Sequence, residues 1–254
     1  MVSARLQLVR TARLKRRRTS GRGDPRGVRL RAEYLDAELR LRAHGVRSTI
    51  LVMGSTRASR RHPYYAVARE FGRIVARDGR HALMTGGGPG IMEAANRGAF
   101  EAGGLSIGLN IRLPREQVAN RYTTPGLGFS FRYFALRKLH FLLRAHAFVA
   151  FPGGFGTFDE LFETLTLAQT RKIRPLPVVL VGEAYWRRAV DFDFLAKART
   201  ITRRDRGLYC YAESARDIWS AIERWYRRAG EAVFPDAPKL AVPERGRARR
   251  RRAR

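Results

Sequence analysis

Short apolar runs alternate along this chain with longer segments whose apolar residues recur at helical spacing, the pattern of βα units around a parallel sheet. The spacing predicts a first helix over residues 31–44, a strand over 48–53 and a helix over 64–77 that Asp78 and Gly79 stop. A strand over 81–85 runs into the glycine run Gly86–Gly90, and a helix follows from Ile91 to about Ala102. Residues 105–111 read as a strand, 112–128 as a loop and 133–144 as a helix. Residues 147–151 are a nearly continuous apolar strand leading to a second glycine turn, then a helix over 157–170 and a strand over 177–181. Helices over 184–189 and 215–228 complete the pattern, with no internal repeat. The expected fold class is α/β, one domain, with a parallel sheet flanked by helices.

Charge changes the picture at the ends. The net charge of +29 suggests a nucleic-acid partner until it is located: residues 1–30 hold ten basic residues against Asp24, and residues 244–254 hold seven arginines against Glu244. Such runs cannot bury apolar surface, so the chain divides into a basic tail (1–30), a folded domain (31–243) and an arginine-rich tail (244–254). The tails would give weak, salt-sensitive contact with polyanions such as RNA.

Cys210 is the one cysteine, which excludes an intramolecular disulfide and fits a reducing, cytoplasmic setting. The N-terminal stretch lacks the apolar core of a secretory signal, and no apolar run is long enough to span a bilayer. His44, His62, His81, His140 and His146 show no metal-ligand spacing, so neither a metal nor another cofactor is expected.

The candidate chemistry lies in the glycine turns. A strand that ends in glycines and leads into a helix gathers unpaired backbone N–H groups and the positive end of the helix dipole, where an anion such as phosphate binds. GGGPGIME (86–93) and PGGFGTFDE (152–160) are two such turns, and Gly54-Ser55-Thr56 is a weaker third. Each alone could be only a tight turn; together on one sheet edge they point to one nucleotide. With no GxxxxGK[ST] and no GxGxxG followed by a distant acid, neither nucleoside triphosphate hydrolysis nor a dinucleotide is indicated.

The block FALRKLHFLLRAHAFVAFPGGFGTFDELFETLTLAQT (134–170), with GGGPGIMEAANRGA (86–99) upstream, resembles the LOG family, the cytokinin riboside 5′-monophosphate phosphoribohydrolases long mislabelled lysine decarboxylases. The resemblance runs from about Ser48 to Trp225. It implies a Rossmann-like, doubly wound sheet, a homodimer or higher homo-oligomer, and a nucleoside monophosphate such as AMP as substrate. It also implies catalysis by Arg137 of the Arg-Lys pair and Glu160 of PGGxGTxxE. The nucleotide would meet Gly54, Ser55, Gly87, Gly88, Gly90, Met92, Glu93, Lys138, Pro152, Gly153, Gly154, Gly156 and Thr157.

From the residues alone the roles stay open. Glu160 in the first turn of its helix would be ionised by the dipole and could stabilise an oxocarbenium-like state, yet Thr157-x-x-Glu160 also reads as a capping box. Arg137 could be a phosphate fork or a surface arginine, and Met92 and Glu93 could be helix packing and a helix-start charge. The rival to an enzyme is a binding protein of the same fold, as the similar molybdenum-cofactor carriers are; a second rival is an RNA-associated protein in which the tails dominate.

Overall fold

The computed structural model describes residues 25–112 and 119–229. The expected arginine-rich tail (244–254) and most of the N-terminal one (1–24) lie outside the described residues. Residues 25–30, read from the sequence as tail, are instead the start of the first helix, α1 (Pro25–Ala43).

Seven strands form one parallel sheet: β1 (Thr49–Met53), β2 (Ala82–Thr85), β3 (Ser106–Ile111), β4 (Gly128–Phe131), β5 (Ala145–Ala150), β6 (Val178–Val181) and β7 (Tyr209–Ala212). Their spatial order is β4-β3-β2-β1-β5-β6-β7, with every neighbouring pair parallel. The chain builds outward from β1 to β4 and then returns to the other side of β1 with β5. This is the Rossmann-like, doubly wound arrangement, and its switch point is the β1/β5 pair.

The helices are α2 (Pro63–Asp78), α3 (Ile91–Glu101), α4 (Phe134–Leu142), α5 (Phe155–Gln169), α6 (Glu183–Ala189), α7 (Phe192–Lys197) and α8 (Ala215–Ala229). Successive strand residues feed opposite cores, as the pleat requires. On β1, Ile50 and Val52 join Phe71, Val75, Ala95 and Ile218 from α2, α3 and α8, while Leu51 and Met53 join Leu41, Phe141, Leu161 and Trp186 from α1, α4, α5 and α6. The central strands are therefore buried on both faces, which is why they read as unbroken apolar runs.

Four elements were not read in the sequence: β4, β7, α7 and a 3₁₀ turn over Arg203–Leu208. β4 falls at the end of the segment read as loop, and its burial alternates residue by residue, so GFSF offers no apolar run. β7 and α7 are also additions, four and six residues long. Both edge strands lack the continuous buried run that marks the equally short β2 and β6; pairing with β3 and β6 makes them strands.

Candidate active site at the sheet switch point

The carboxyl ends of β1, β2 and β5 converge because three turns are tied to each other. Ser55 is the knot: its N–H donates to the Pro152 carbonyl at 2.9 Å, and its own carbonyl accepts from the Ile91 N–H at 3.0 Å. Close approach sets the residue type at Gly54, where an added Cβ would stand 2.7 Å from Ile91 Cγ2 and 2.9 Å from Phe151 Cβ. Gly87 and Gly90 hold φ of 72° and 71°, a backbone that other residues rarely adopt. The Gly87–Gly88 carbonyls are braced by Asn120, through its backbone N–H at 2.9 Å and its Nδ2 at 3.1 Å. Asn96 extends the brace, accepting from Thr85 Oγ1 at 2.6 Å.

These turns border a cavity of about 870 Å³. Of the residues expected at a nucleotide, Gly54, Ser55, Met92, Arg137, Gly154, Gly156 and Thr157 line it. Pro152 and Gly153 instead line a smaller cavity of about 300 Å³, which shares Ser55 and Arg57 with the first. Gly87, Gly88 and Gly90 are buried in the turn behind the wall rather than in it. Glu93 faces away, accepting from Arg60 at 2.9 Å and from the Tyr65 hydroxyl at 3.0 Å.

Glu160 departs from both local readings of it. Helix α5 starts at Phe155 with Gly154 as its N-cap and no side-chain cap, so Thr157 is already inside the helix and the T-x-x-E capping box does not form. Glu160 consequently lies in the second turn and points inward, 3% exposed. The helix dipole was expected to keep it ionised, but burial dominates and pushes its carboxyl up to about 7, against the pull of Lys138 and Arg137. A group at that value gives and takes protons at neutral pH.

Arg137, on the first turn of α4, is buried beside it, with Nη2 3.4 Å from Glu160 Oε1. Its guanidinium carbon lies 4.9 Å from the Phe134 ring centroid and 5.3 Å from that of Phe141. Burial lowers its proton affinity, and its Nε has no hydrogen-bond partner. That Nε is buried behind the wall, and the part of the Arg137 side chain that lines the cavity is what a ligand oxygen can meet. Lys138 is committed elsewhere: its Nζ lies 2.7 Å from Asp159, 3.2 Å from Glu163 and 3.6 Å from Glu160 Oε2. Burial opposes its charge, but those carboxylates hold the ammonium above its usual value.

Met53, Arg57, Asn110, Ile111, Phe134, Phe155, Phe158 and Ala189 also line the large cavity and were not singled out in the sequence. The rule that ligands sit at strand carboxyl ends would have found Met53, Asn110 and Ile111, which close β1 and β3. Nothing local marks the aromatics, whose apolar faces suit a base or an apolar substituent.

The family model described as "Possible lysine decarboxylase" matches residues 92–222. The probable cytokinin riboside 5′-monophosphate phosphoribohydrolase LOGL5 of Oryza sativa subsp. japonica is 29% identical over 166 residues, 64% of this chain and 66% of that one. This chain thus spans about two thirds of that relative's length. The cytokinin riboside 5′-monophosphate phosphoribohydrolase LOG1 of Arabidopsis thaliana is 28% identical over 183 residues, 70% of this chain and 84% of that one. Among solved structures, the molybdenum cofactor carrier protein of Chlamydomonas reinhardtii superposes with a TM-score of 0.51 at 27% identity, covering 71% of this chain and 99% of that one.

Proposed function

The chain belongs to the LOG family, the group matched by the "Possible lysine decarboxylase" model, and we propose that it hydrolyses the N-glycosidic bond of a nucleoside 5′-monophosphate. The substrate would be AMP or an N6-substituted AMP, and the products a free base and ribose 5-phosphate. The observation that carries this reading is the buried Glu160, its carboxyl raised to about 7, set beside Arg137, which lines the switch-point cavity.

In this reading the phosphate lies at the start of α5, where the N–H groups of Phe155 and Gly156 have no acceptor within the helix and the dipole is positive. The guanidinium of Arg137, which lines the cavity, holds a substrate oxygen. The C1′–N bond breaks with its electron pair leaving on the base, which takes a proton from solvent. A water oxygen bonds to C1′ as its proton passes to the Glu160 carboxylate, which also stabilises the cationic sugar in the transition state. Glu160 stands behind Arg137 and Thr157 rather than in the cavity wall, so the reacting geometry needs a side-chain shift on binding.

The test is release of free base from AMP, GMP, CMP, UMP and isopentenyladenosine monophosphate, with Glu160→Gln as control. Release that depends on Glu160 supports the hydrolase. The likeness to the molybdenum cofactor carrier favours a second reading, a carrier without turnover. Bound AMP with no release from any nucleotide would select it. The proposal includes a homo-oligomer, supported by the apolar rim where Phe155 is 96% and Phe134 49% exposed; sedimentation of the full chain tests it.

A further inference from the structure

Helix α4, which carries Arg137, is short, and its N-cap residue Tyr133 supplies no side-chain cap. A nine-residue helix without a cap is marginal by itself, so its position must come from what it packs against. The element that grips it is α1, which precedes residues 92–222 and so lies outside the segment matched by the family model.

The grip has three points along α4. At its start, the Glu33 carboxylate accepts from the Arg132 N–H at 2.8 Å and from the Tyr133 N–H at 3.4 Å, a cap supplied from 100 residues away. In its last turn, the fully buried His140 ring stacks on Tyr34 at 5.1 Å, with the Phe131 ring 5.6 Å away. Past its end, Arg144 Nη2 donates to Glu38 Oε1 at 2.6 Å, both side chains nearly buried. Glu33, Ala37 and Leu41 fall at four-residue spacing, as do Tyr34 and Glu38, so the contacts share one side of α1. Arg40 adds a fourth hold: it donates to the Gly126 and Gly128 carbonyls at 2.6 and 2.8 Å and lies over the Phe129 ring at 4.2 Å. That secures β4 against β3, whose end supplies Asn110 and Ile111 to the cavity.

We infer that α1 is a positioning clamp for the site, and that Glu33 acts through α4 to place Arg137. The inference rests on the reading of Arg137 as catalytic. Its physical content is that a carboxylate at the positive end of α4 fixes the helix's height and tilt, and a misplacement of about 1 Å at a reacting group can cost about a hundredfold in rate. Glu33 is not among the residues that line the cavity of about 870 Å³, and it is a positioning residue, not a catalytic one.

The experiment uses the full chain and the series Glu33, Glu33→Gln and Glu33→Ala, with Leu41→Ala as a control that removes a buried core contact of α1 but none of the three anchors. Two readouts are taken at 25 °C: base release, resolved into kcat and KM, and hydrogen exchange of residues 134–142. The expected result is a graded fall in kcat, about tenfold or more for Glu33→Ala, with KM changed less than about twofold. Exchange in α4 should accelerate about tenfold while α3 stays as in the wild type. Leu41→Ala should lower the melting temperature most and leave kcat near wild type. Unchanged α4 exchange in Glu33→Ala overturns the clamp whatever the activity, and so does faster exchange with kcat unaltered. Faster exchange in a protein whose wild type releases no base fails the catalytic reading instead, and leaves α1 as the clamp of a binding site.

Discussion

Replacing Glu160 by glutamine should separate what the residue costs the fold from what it gives the chemistry. A carboxyl raised from its ordinary value near 4.5 to about 7 binds its proton more tightly folded than unfolded. Its contribution to stability is therefore fully present below pH 4.5 and is lost as the pH rises through 7. At about 1.4 kcal/mol per tenfold change in proton affinity, the total loss is on the order of 3 kcal/mol, of which about 2–3 kcal/mol falls between pH 5 and pH 8.5. Glutamine keeps the shape and does not titrate. The attraction of the carboxylate to Arg137 and Lys138 exists only in the ionised form and is already contained in the value near 7, so it adds no separate contribution to the comparison. The informative quantity is thus the change with pH in the stability gap between Glu160→Gln and wild type, from urea titrations at fixed protein concentration at pH 5 and pH 8.5. The gap should move in favour of the variant by about 2–3 kcal/mol, or roughly 5–10 °C in Tm for a domain of this size, while base release is lost. A gap that does not move with pH would show that burial does not control this carboxyl, and the argument for a proton-exchanging Glu160 would fall with it.

Arg137→Ala should lower turnover by about a hundredfold or more while shifting stability by no more than about 2 kcal/mol, because the residue it abandons, Glu160, can neutralise itself by protonation; kinetics paired with urea melts read both. Gly90→Ala should cost about 2 kcal/mol or more, since φ is 71° and the new methyl would press on the Ser55 carbonyl that ties two turns together; a melt as stable as wild type would contradict that geometry. His81, buried against Ser48 and near His146, is held down to about 3 chiefly by burial. Its contribution to stability is present above pH 6.5 and is lost as the pH falls toward 3, so His81→Gln should flatten the loss of stability between pH 6 and pH 4, measured against wild type by thermal melts.

The alternation of apolar runs and helical segments was enough to establish an α/β sheet. The central strands 50–53, 82–85, 147–150 and 178–181 stand in the structure close to where the pattern put them, because burial on both faces demands apolar residues at every position. The glycine turns were equally legible: close approach at Gly54 and Gly153 and positive φ at Gly87 and Gly90 restrict those positions to one residue type, although Gly154 and Gly156 meet neither restriction. Arg137 and Glu160 came through a motif rather than through physics: alone, one reads as a surface arginine and the other as half of a capping box. Tertiary structure decided the rest. It started α5 two residues before Thr157, turned Glu160 into the interior and let desolvation overrule the dipole. It drew Lys138 to the acids of α5, and it brought Glu33, Glu38 and Arg40 from the first helix onto the strand and helix that frame the cavity. None of these follows from local pattern, because a residue's proton affinity and partners depend on neighbours 20 to 100 positions away, and only packing determines which of them arrive.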